Sequence, residues 1–362
     1  MIDEINFKNY KSIKEIDIEL KNLNVLIGAN GAGKSNFISF FEFLNNIYNQ
    51  NLQNYVNEQD GCDNILYFGT KESAQLYCKV TFDNTNFYEF ILKPILSNGL
   101  YFEYETNGFN IYHDYQNKTP YWNIETGIKG NKESTYKSNS SKRIGYIKEY
   151  LNSFRVFHFH DTGRTAAVKK YSNINDNSYL REDGQNLASF LFLLSKKYPA
   201  SFKLIEKIVK SVAPFFKSFD LKPMALNNEL IKLEWKEEGT DKYFDANNLS
   251  DGTLRFICIA TLLLQPKLPK TIIIDEPELG LHPFAINKLA GLINSASNST
   301  QIIISTQSVN LIENFQPDDI IVVDRKDKQS VFNRLSSNEL KGWLDDYSLG
   351  ELWDKNIIGG RP

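Results

Sequence analysis

Cysteines and long apolar runs are scarce in this sequence, and each scarcity argues against a class of protein. The 362 residues include 3 cysteines and 4 histidines. Cys62, Cys78 and Cys258 stand far apart without a CxxC pair, which argues against a disulfide framework or a zinc knuckle. Apolar runs such as Phe256–Leu264 fall short of the roughly 20 residues that span a bilayer. The charged N-terminal residues predict no signal peptide, so we expect a cytoplasmic protein without a membrane anchor.

Positive charge is not in excess either. The chain has 41 Lys and Arg against 44 Asp and Glu, with a formal net charge of −3, so no global positive field marks a nucleic-acid-binding protein. Any contact with DNA must come from a local basic surface. No repeat and no sustained heptad seam is present, which excludes a long coiled coil. The hydrophobic share of 41% is ordinary for a folded protein with a substantial core.

A glycine-rich stretch is the most specific motif. GANGAGKS at Gly28–Ser35 matches the pattern G-x-x-x-x-G-K-[ST] at every fixed position, between a predicted strand at Asn24–Ile27 and a predicted helix near Ser35–Tyr48. Backbone N–H groups of such a loop wrap phosphates, and the helix dipole favours their charge. We expect Lys34 to reach the β- and γ-phosphates and the Ser35 hydroxyl to ligate Mg²⁺. The predicted nucleotide-binding residues are Gly28, Ala29, Asn30, Gly31, Ala32, Gly33, Lys34, Ser35 and Asn36.

Two carboxylates follow a continuous apolar strand in TIIIDEPELGLHP, residues Thr271–Pro283. An all-apolar strand suits the centre of a parallel sheet, where ligands gather at the carboxyl ends of the strands. We expect Asp275 to hold Mg²⁺, directly or through water, and Glu276 to polarise the attacking water as a general base. The alternative is that both carboxylates only cap the following turn. The phosphate loop elsewhere in the chain favours the catalytic interpretation.

A third element, NLSDGTLRF at Asn248–Phe256, places Ser250 and Gly252 just before an apolar helix. Such a helix N-terminus is either a simple N-cap or a site for an anion. Its place shortly before the acidic strand resembles the ABC ATPase superfamily, which has an LSGGQ-like signature turn at this point. The match is variant, because Asp251 replaces the second small residue and Thr253 replaces Gln.

The RecF/SMC-like branch of that superfamily, including the AAA-21 and AAA-15 predicted ATPases, is the more specific resemblance. It is carried by INFKNYKSI…LNVLIGANGAGKSN at the start, by ELGLHP, by ISTQS and by SLGELWDKNIIGGRP. It covers roughly residues 1–45 and 245–310. The resemblance implies that ATP binds the loop of one subunit and is covered by the signature turn of another, in a homodimer.

Several residue roles follow from the resemblance. Ser250 and Gly252 would contact the γ-phosphate in trans, and Glu278–Leu281 would form the D-loop at the dimer interface. Gln307 stands where many ABC proteins have a histidine that senses the γ-phosphate. Its amide donates a hydrogen bond but carries no charge, so we expect slow hydrolysis. Arg255 is either a further phosphate contact or a residue that packs beside the signature helix.

The expected fold is α/β, a P-loop NTPase head of the ABC type with an antiparallel β-subdomain, an inserted helical lobe and no long coiled coil. We predict an N-terminal lobe at 1–125, an exposed basic loop at 126–150, an inserted helical lobe at 151–244 and a C-terminal lobe at 245–362. The basic loop is either solvated or in contact with a phosphate backbone. His158 and His160 share one face of a strand. Three interpretations are open for them: metal ligands, residues at the Q-loop position, or structural residues.

The resulting functional prediction is a switch that binds and hydrolyses ATP, with Mg²⁺, in anti-phage defence or DNA repair. The resemblance to the ATPase parts of OLD, Septu and PARIS-type systems implies a separate nuclease or effector partner, since too few residues follow the ISTQS strand for a nuclease domain. Double-stranded DNA is a further predicted partner. Two alternatives remain open: a nucleotide-binding subunit of a transporter, and a scaffold that binds ATP without hydrolysing it.

Overall fold

The computed structural model describes residues 1–110, 122–138 and 142–361. The strands are β1 (Ile2–Tyr10), β2 (Ile13–Glu19), β3 (Leu23–Ile27), β4 (Leu76–Phe82), β5 (Asn86–Pro94), β6 (Leu100–Asn110), β7 (Trp122–Ile128), β8 (Val156–Phe157), β9 (Ser172–Asn173), β10 (Phe216–Phe219), β11 (Pro223–Met224), β12 (Asn227–Ile231), β13 (Glu234–Glu237), β14 (Tyr243–Asp245), β15 (Thr271–Asp275), β16 (Gln301–Thr306), β17 (Ile320–Lys326) and β18 (Gln329–Arg334). The helices are α1 (Lys34–Tyr48), α2 (Leu52–Glu58), α3 (Lys142–Ser153), α4 (Leu187–Lys197), α5 (Pro199–Val212), α6 (Asp251–Leu264), α7 (Pro283–Ser297), α8 (Val309–Ile312), α9 (Ser337–Leu344) and α10 (Leu349–Asp354).

The central sheet has the strand order β18-β17-β3-β16-β15-β8. Strands β17, β3, β16, β15 and β8 are parallel, and β18 closes one edge as an antiparallel strand. The middle strands are buried along their length, as expected for a sheet covered on both faces. Their carboxyl ends therefore meet at one edge, where the segments that follow β3, β15 and β16 lie side by side.

A second sheet is antiparallel, with the order β2-β1-β4-β5-β6-β7. Helix α1 lies between this sheet and the central sheet. It buries a row of phenylalanines, and the ring of Phe40 stacks on Phe7 of β1 with centroids 3.8 Å apart. Burial of several aromatic rings at roughly 2–3 kcal/mol each makes this helix a strong link between the sheets. The phosphate loop precedes α1 directly, so this packing fixes one side of the site.

The opposite face of the central sheet carries a separate apolar core. Alternate strand residues such as Val25, Ile274 and Ile304 face it, because successive side chains on a strand point to opposite faces. Helices α4 to α8 and α10 contribute buried residues to this core. None of the helices within the described ranges has the length and apolar character needed to cross a membrane.

The predicted helical lobe at 151–244 is corrected by the structure. Besides α4 and α5, this range holds β8 and two small antiparallel sheets of short strands. Their strand orders are β10-β13-β14 and β11-β12-β9. Within the range predicted to be a helical lobe, α5 ends at Val212 and residues Phe216–Phe219 form β10. The ring of Phe216 stacks on Trp235 of β13, a tertiary contact that overrides the local helical periodicity.

The predicted exposed loop at 126–150 is also corrected for its described residues. Strand β7 extends into it, and α3 occupies its end, with Ile144, Ile147 and Leu151 buried at helical spacing. Between them, Tyr136 is buried and donates a hydrogen bond to Asn107, while the buried Glu105 accepts one from Ser134. Lys129, Lys132 and Lys137 of this segment are exposed, as predicted. The remaining lobe boundaries, 1–125 and 245–362, stay a prediction.

Candidate nucleotide site

The phosphate loop runs from the end of β3 to the start of α1, in the strand–loop–helix context that the motif predicts. Gly28 has a φ of 154°, and a methyl group added there would lie 2.2 Å from the Val323 carbonyl oxygen. Only glycine fits this close approach of two backbones. Asn30, Gly31 and Ser35 are exposed, so the loop is open to a ligand from solvent.

Lys34 lies over its own loop. The Lys34 Nζ donates to the carbonyl oxygens of Gly28, at 2.6 Å, and Ala29, at 3.1 Å, and only 5% of the residue is exposed. Burial lowers the pKa of the Lys34 ammonium, while the carboxylates of Glu276, Asp275 and Glu278 act in the opposite direction. The loop carbonyls thus hold a cation at the place where a phosphate needs one.

The acidic strand end lies at the same edge of the central sheet. Asp275 ends β15 and pairs in register with Ser305 of β16, whose hydroxyl donates to the Asp275 carboxylate. The next residue, Glu276, has a φ of +44°, a left-handed backbone that costs roughly 1–3 kcal/mol for a residue other than glycine. The Glu276 N–H donates to the Ser305 carbonyl at 3.0 Å. This contact holds the strained turn in place.

Gln307 lies between two carboxylates. Its side-chain amide donates to Glu276, and its backbone N–H donates to Glu278 Oε1 at 3.3 Å. The predicted sensor residue and the predicted general base are therefore in direct contact. Because Glu276 is only half-buried, a water molecule has room to reach its carboxylate.

Glu278 is a site residue whose environment the sequence did not indicate. Its Oε1 also accepts from Thr306 Oγ1 at 2.5 Å, while its Oε2 is buried and has no hydrogen-bond partner among the described residues. Burial raises the pKa of the Glu278 carboxyl. The last acid of the DEPE motif is the only signal that could have indicated this role, since the contact with Thr306 joins distant parts of the chain.

The signature-like turn is on the surface. Ser250 is exposed and caps α6, accepting from the Thr253 N–H at 3.1 Å. A methyl group added at Gly252 would lie 2.3 Å from the Gly280 carbonyl oxygen, so the turn packs against the predicted D-loop of its own chain. Leu279 and Gly280 of that D-loop are exposed, whereas Glu278 points inward. The Ser250 oxygen also lies 2.8 Å from Thr253 Oγ1, so its hydroxyl is held at the N-terminus of α6, on the exposed side of the turn.

Arg255 uses its guanidinium to join three segments. It donates to the carbonyl oxygens of Phe159 at 3.0 Å, His160 at 2.7 Å and Leu279 at 2.7 Å. These contacts tie the start of α6 to the chain after β8 and to the D-loop. Of the two interpretations of Arg255, packing beside the signature helix is the one that this geometry favours.

The two histidines after β8 have separate partners. His158 Nε2 lies 3.0 Å from a Glu42 carboxylate oxygen, and His160 Nε2 lies 2.9 Å from the Asp275 carbonyl oxygen. Since a carbonyl only accepts, the proton of His160 lies on Nε2. Across the described ranges, no three His, Cys, Asp or Glu residues gather in a way that could hold a metal ion. The histidine-based metal site therefore has no support, and His160 lies beside the acidic strand end.

Known proteins resemble this chain in both sequence and fold. A family model described as "AAA domain, putative AbiEii toxin, Type IV TA system" matches residues 79–313, more than half of the chain. The phosphate import ATP-binding protein PstB of Mycoplasmoides gallisepticum is 24% identical over 257 residues, 67% of this chain and 75% of that protein. The match to the family model begins after the phosphate loop and includes the signature-like turn and the acidic strand end.

Two solved structures share the fold. The Smc head bound to the C-winged helix domain of ScpA superposes with a TM-score of 0.59 at 17% identity, covering 94% of this chain and 99% of that one. An Smc head with an extended coiled coil, bound to the C-terminal domain of ScpA derived from Pyrococcus furiosus, gives 0.57 at 16% identity, covering 95% and 98%. The predicted α/β head of the ABC type is thereby confirmed, and within the described ranges it has no long coiled coil.

Proposed function

The chain belongs to the AAA_21 family and is an ATPase of the ABC/SMC-like type, and from this premise we propose that it is a switch driven by ATP. Two copies close around ATP, and hydrolysis releases them. The contact between Glu276 and Gln307, at the sheet edge that also carries the phosphate loop, is the observation that supports hydrolysis most directly.

The triphosphate binds at Gly28–Ser35. Backbone N–H groups and the N-terminus of α1 face the phosphates, and Lys34 exchanges the Gly28 and Ala29 carbonyls for phosphate oxygens. The exchange is favourable because an ammonium binds a charged phosphate more strongly than a neutral carbonyl. Asn36, half-buried at the start of α1, donates to Ser12 at 2.7 Å and so keeps the β1–β2 turn against the site.

The oxygen donors at this edge fit Mg²⁺. The exposed Ser35 hydroxyl and the half-buried Asp275 carboxylate are hard oxygen ligands of the type that Mg²⁺ prefers. When bound, the ion supplies positive charge to the phosphate oxygens. Ser305 fixes the orientation of the Asp275 carboxylate through its hydroxyl hydrogen bond.

Glu276 orients the attacking water and accepts its proton. Gln307 holds the Glu276 carboxylate through its amide, and its backbone is in turn held by Glu278. An amide cannot supply the positive charge of a protonated histidine at the γ-phosphate, so we expect turnover at the slow end of the range for ATPases, about 1 per second or less.

The partner copy completes the site. Ser250 is exposed and Gly252 is half-buried at the N-terminus of α6, and together they would offer a hydroxyl and a backbone amide to the γ-phosphate of another chain. ATP that bridges two copies binds the closed pair more tightly than the separate chains, and this difference supplies the work of the switch. Leu279 and Gly280 lie beside the turn and contact the partner's D-loop.

The switch acts in anti-phage defence or DNA repair with a separate nuclease or effector. The family description, which names a toxin of a toxin–antitoxin system, supports a defence role. The Smc head in complex with a ScpA domain supports the idea that a head of this shape presents a surface to a partner protein. Double-stranded DNA would bind through exposed lysines of the 129–137 segment, among them Lys129 and Lys132.

A transporter subunit is the second candidate function, and the similarity to PstB favours it. Such a subunit is recovered with the membrane fraction together with an apolar partner. Recovery of this chain from cell extracts without membrane association would support the defence or repair role instead.

Release of phosphate by the wild type and by Glu276→Gln tests the proposed hydrolysis. We expect the wild type to turn over ATP and the variant to lose at least about 100-fold in kcat while still binding ATP, because the amide cannot accept the proton. A wild type that binds ATP without releasing phosphate would identify a scaffold. Unchanged turnover in the variant would show that Glu276 is not the base.

A further inference from the structure

The first glycine of the phosphate loop touches a segment more than 300 residues later in the chain. Gly360 is buried, and a methyl group added to it would lie 3.3 Å from Gly28 Cα, 3.6 Å from the Ile27 carbonyl oxygen and 2.8 Å from Val322 Cγ1. Gly28 is thus enclosed by Gly360 as well as by the Val323 carbonyl. A methyl group on Gly360 would press on the Val322 side chain and on Gly28, and one on Gly28 would collide with the Val323 backbone.

Hydrogen bonds on both sides of the Gly360 peptide fix its position. Its N–H donates to Asp324 Oδ1 at 3.0 Å, and its carbonyl accepts from Trp353 Nε1 at 2.6 Å. Trp353 is fully buried in the core of the central sheet, so it is a rigid donor. The φ of Gly360 is +65°, a conformation that residues with a side chain rarely adopt.

The same segment reaches the other side of the nucleotide site. Trp353 lies on α10, which packs against α8, and α8 begins two residues after Gln307. The Ser348 hydroxyl at the start of α10 donates to Glu313 Oε1 at 2.7 Å, just after α8. Residues 349–361, which we name the strap, therefore connect the helix that follows Gln307 to the glycine that opens the phosphate loop.

We propose that the strap braces the phosphate loop and that Gly360 is a positioning residue for ATP. The carbonyl of Gly28 holds the Lys34 ammonium, and the N–H groups that follow Gly28 face the phosphates. A shift of Gly28 moves all of these groups together, and a displacement of a fraction of an ångström already weakens a bidentate or multidentate phosphate contact. This inference rests on the proposed ATP site and adds to it a segment outside the nucleotide motifs.

Gly360→Ala tests the brace, and Gly239→Ala is its matched control. Gly239 has a similar φ of +79° but no atom within 4 Å of an added methyl group, so both variants carry similar backbone strain and only Gly360→Ala presses on Val322 and Gly28. We expect the Kd for ATP, measured by calorimetry, to rise about tenfold or more in Gly360→Ala and to stay within about twofold of wild type in Gly239→Ala.

Steady-state phosphate release separates positioning from general damage. Glu276 and Gln307 are not in contact with Gly360, so we expect KM for ATP to rise in Gly360→Ala while kcat stays within about threefold of wild type. A purely structural role predicts a lower unfolding midpoint with an unchanged Kd, and that result would overturn the proposal.

Trp353→Phe provides a second variant if Gly360→Ala does not fold. The phenylalanine ring keeps most of the packing and removes the donor to the Gly360 carbonyl, and we expect the Kd for ATP to rise about threefold or more. Wild-type affinity in this variant would overturn the brace. If the wild type itself fails to bind ATP, the proposed function falls together with the brace; if the wild type binds ATP and Gly360→Ala binds equally, only the brace falls.

Discussion

At the scale of single residues, the site depends on one amide residue that lies between a half-buried and a buried carboxylate. Gln307 holds the half-buried Glu276 through its side chain and meets the buried Glu278 through its backbone. Glu276 faces the ligand side, and the environment of Glu278 favours the neutral acid. We therefore infer that the two glutamates of the DEPE motif have different tasks, Glu276 in the reaction and Glu278 in holding its neighbours in place.

Two substitutions of Glu278 test its supporting role. Burial raises the pKa of this carboxyl, and an amide reproduces both the shape of the neutral acid and its acceptor oxygen. We expect Glu278→Gln to keep kcat for phosphate release within about threefold, and Glu278→Met to lose about tenfold because Thr306 and Gln307 lose their acceptor.

ATP affinity measured by calorimetry is the control for this pair, and it should stay within about twofold in both variants. Equal kcat values for Glu278→Gln and Glu278→Met would contradict the supporting role.

His158 makes the stability of the fold depend on pH. Its hydrogen bond with Glu42 raises its pKa above the ordinary value of 6.5, against the lowering effect of burial. A pKa that is raised on folding stabilises the protein fully below the unfolded value, and this contribution is lost as the pH rises through the folded value. We expect the advantage of wild type over His158→Gln in urea unfolding to be constant below about pH 6.5 and to shrink above it.

Glu42→Gln is the matched control, because it removes the charge partner and leaves the imidazole in place. We expect the advantage of wild type over Glu42→Gln to shrink over the same pH range as its advantage over His158→Gln. An advantage of wild type that stays constant between about pH 6 and about pH 9 would contradict the role of the pair.

The site residues that belong to local motifs could be predicted from the sequence, and the contacts between distant segments could not. The loop at Gly28–Ser35 and the acids Asp275 and Glu276 follow from short patterns next to apolar strands. The partners of Glu278 and Arg255 come from segments about 20 to 100 residues away, so no spacing in the sequence indicates them. The individual roles of the site residues in nucleotide chemistry stay predictions.

At the scale of elements, α6 carries both the exposed turn and the residue that fixes it. Ser250 and Gly252 lie at its start, and Arg255, one turn further on, binds the carbonyls of Phe159, His160 and Leu279. The orientation of the exposed turn therefore depends on the backbone segments that meet at one guanidinium.

Arg255→Met tests the contribution of these three hydrogen bonds. The variant keeps much of the side-chain volume and removes all three hydrogen bonds, leaving carbonyl oxygens without a donor. We expect a loss of about 2–4 kcal/mol in the free energy of unfolding, measured in urea.

Arg164→Met, at an exposed position, is the control and should stay within about 0.5 kcal/mol of wild type. A similarly small effect in Arg255→Met would show that the carbonyl contacts contribute little to stability.

The elements that the sequence did not predict are those whose apolar pattern is broken by polar residues. Helix α3 shows Ile144, Ile147 and Leu151 at helical spacing, but lysines, serines and asparagines just before it gave the whole region the composition of a loop. Strands β10 and β13 lie within the range predicted to be helical, because Phe216 and Trp235 are stabilised by packing on each other rather than by local propensity.

At the scale of the whole molecule, one helix and one sheet edge organise the site. Helix α1 joins the two large sheets through its buried phenylalanines, and the parallel strands bring residues 28, 275 and 307 to the same edge. The order of strands in the central sheet could not be deduced from the sequence, because β17 follows late in the chain and yet pairs with β3, with β18 on its outer side. The α/β class itself was predictable from the motifs and their strand and helix context.

The mass of the Glu276→Gln protein with and without ATP tests the central claim most directly. One chain has a mass of 41.7 kDa. We predict that ATP with Mg²⁺ doubles the mass in sedimentation, and that adding Ser250→Arg keeps the protein monomeric although it still binds ATP, because the arginine blocks the turn that reaches the partner's γ-phosphate. A Glu276→Gln protein that stays monomeric with ATP bound, or a Ser250→Arg variant that dimerises equally well, would contradict the account.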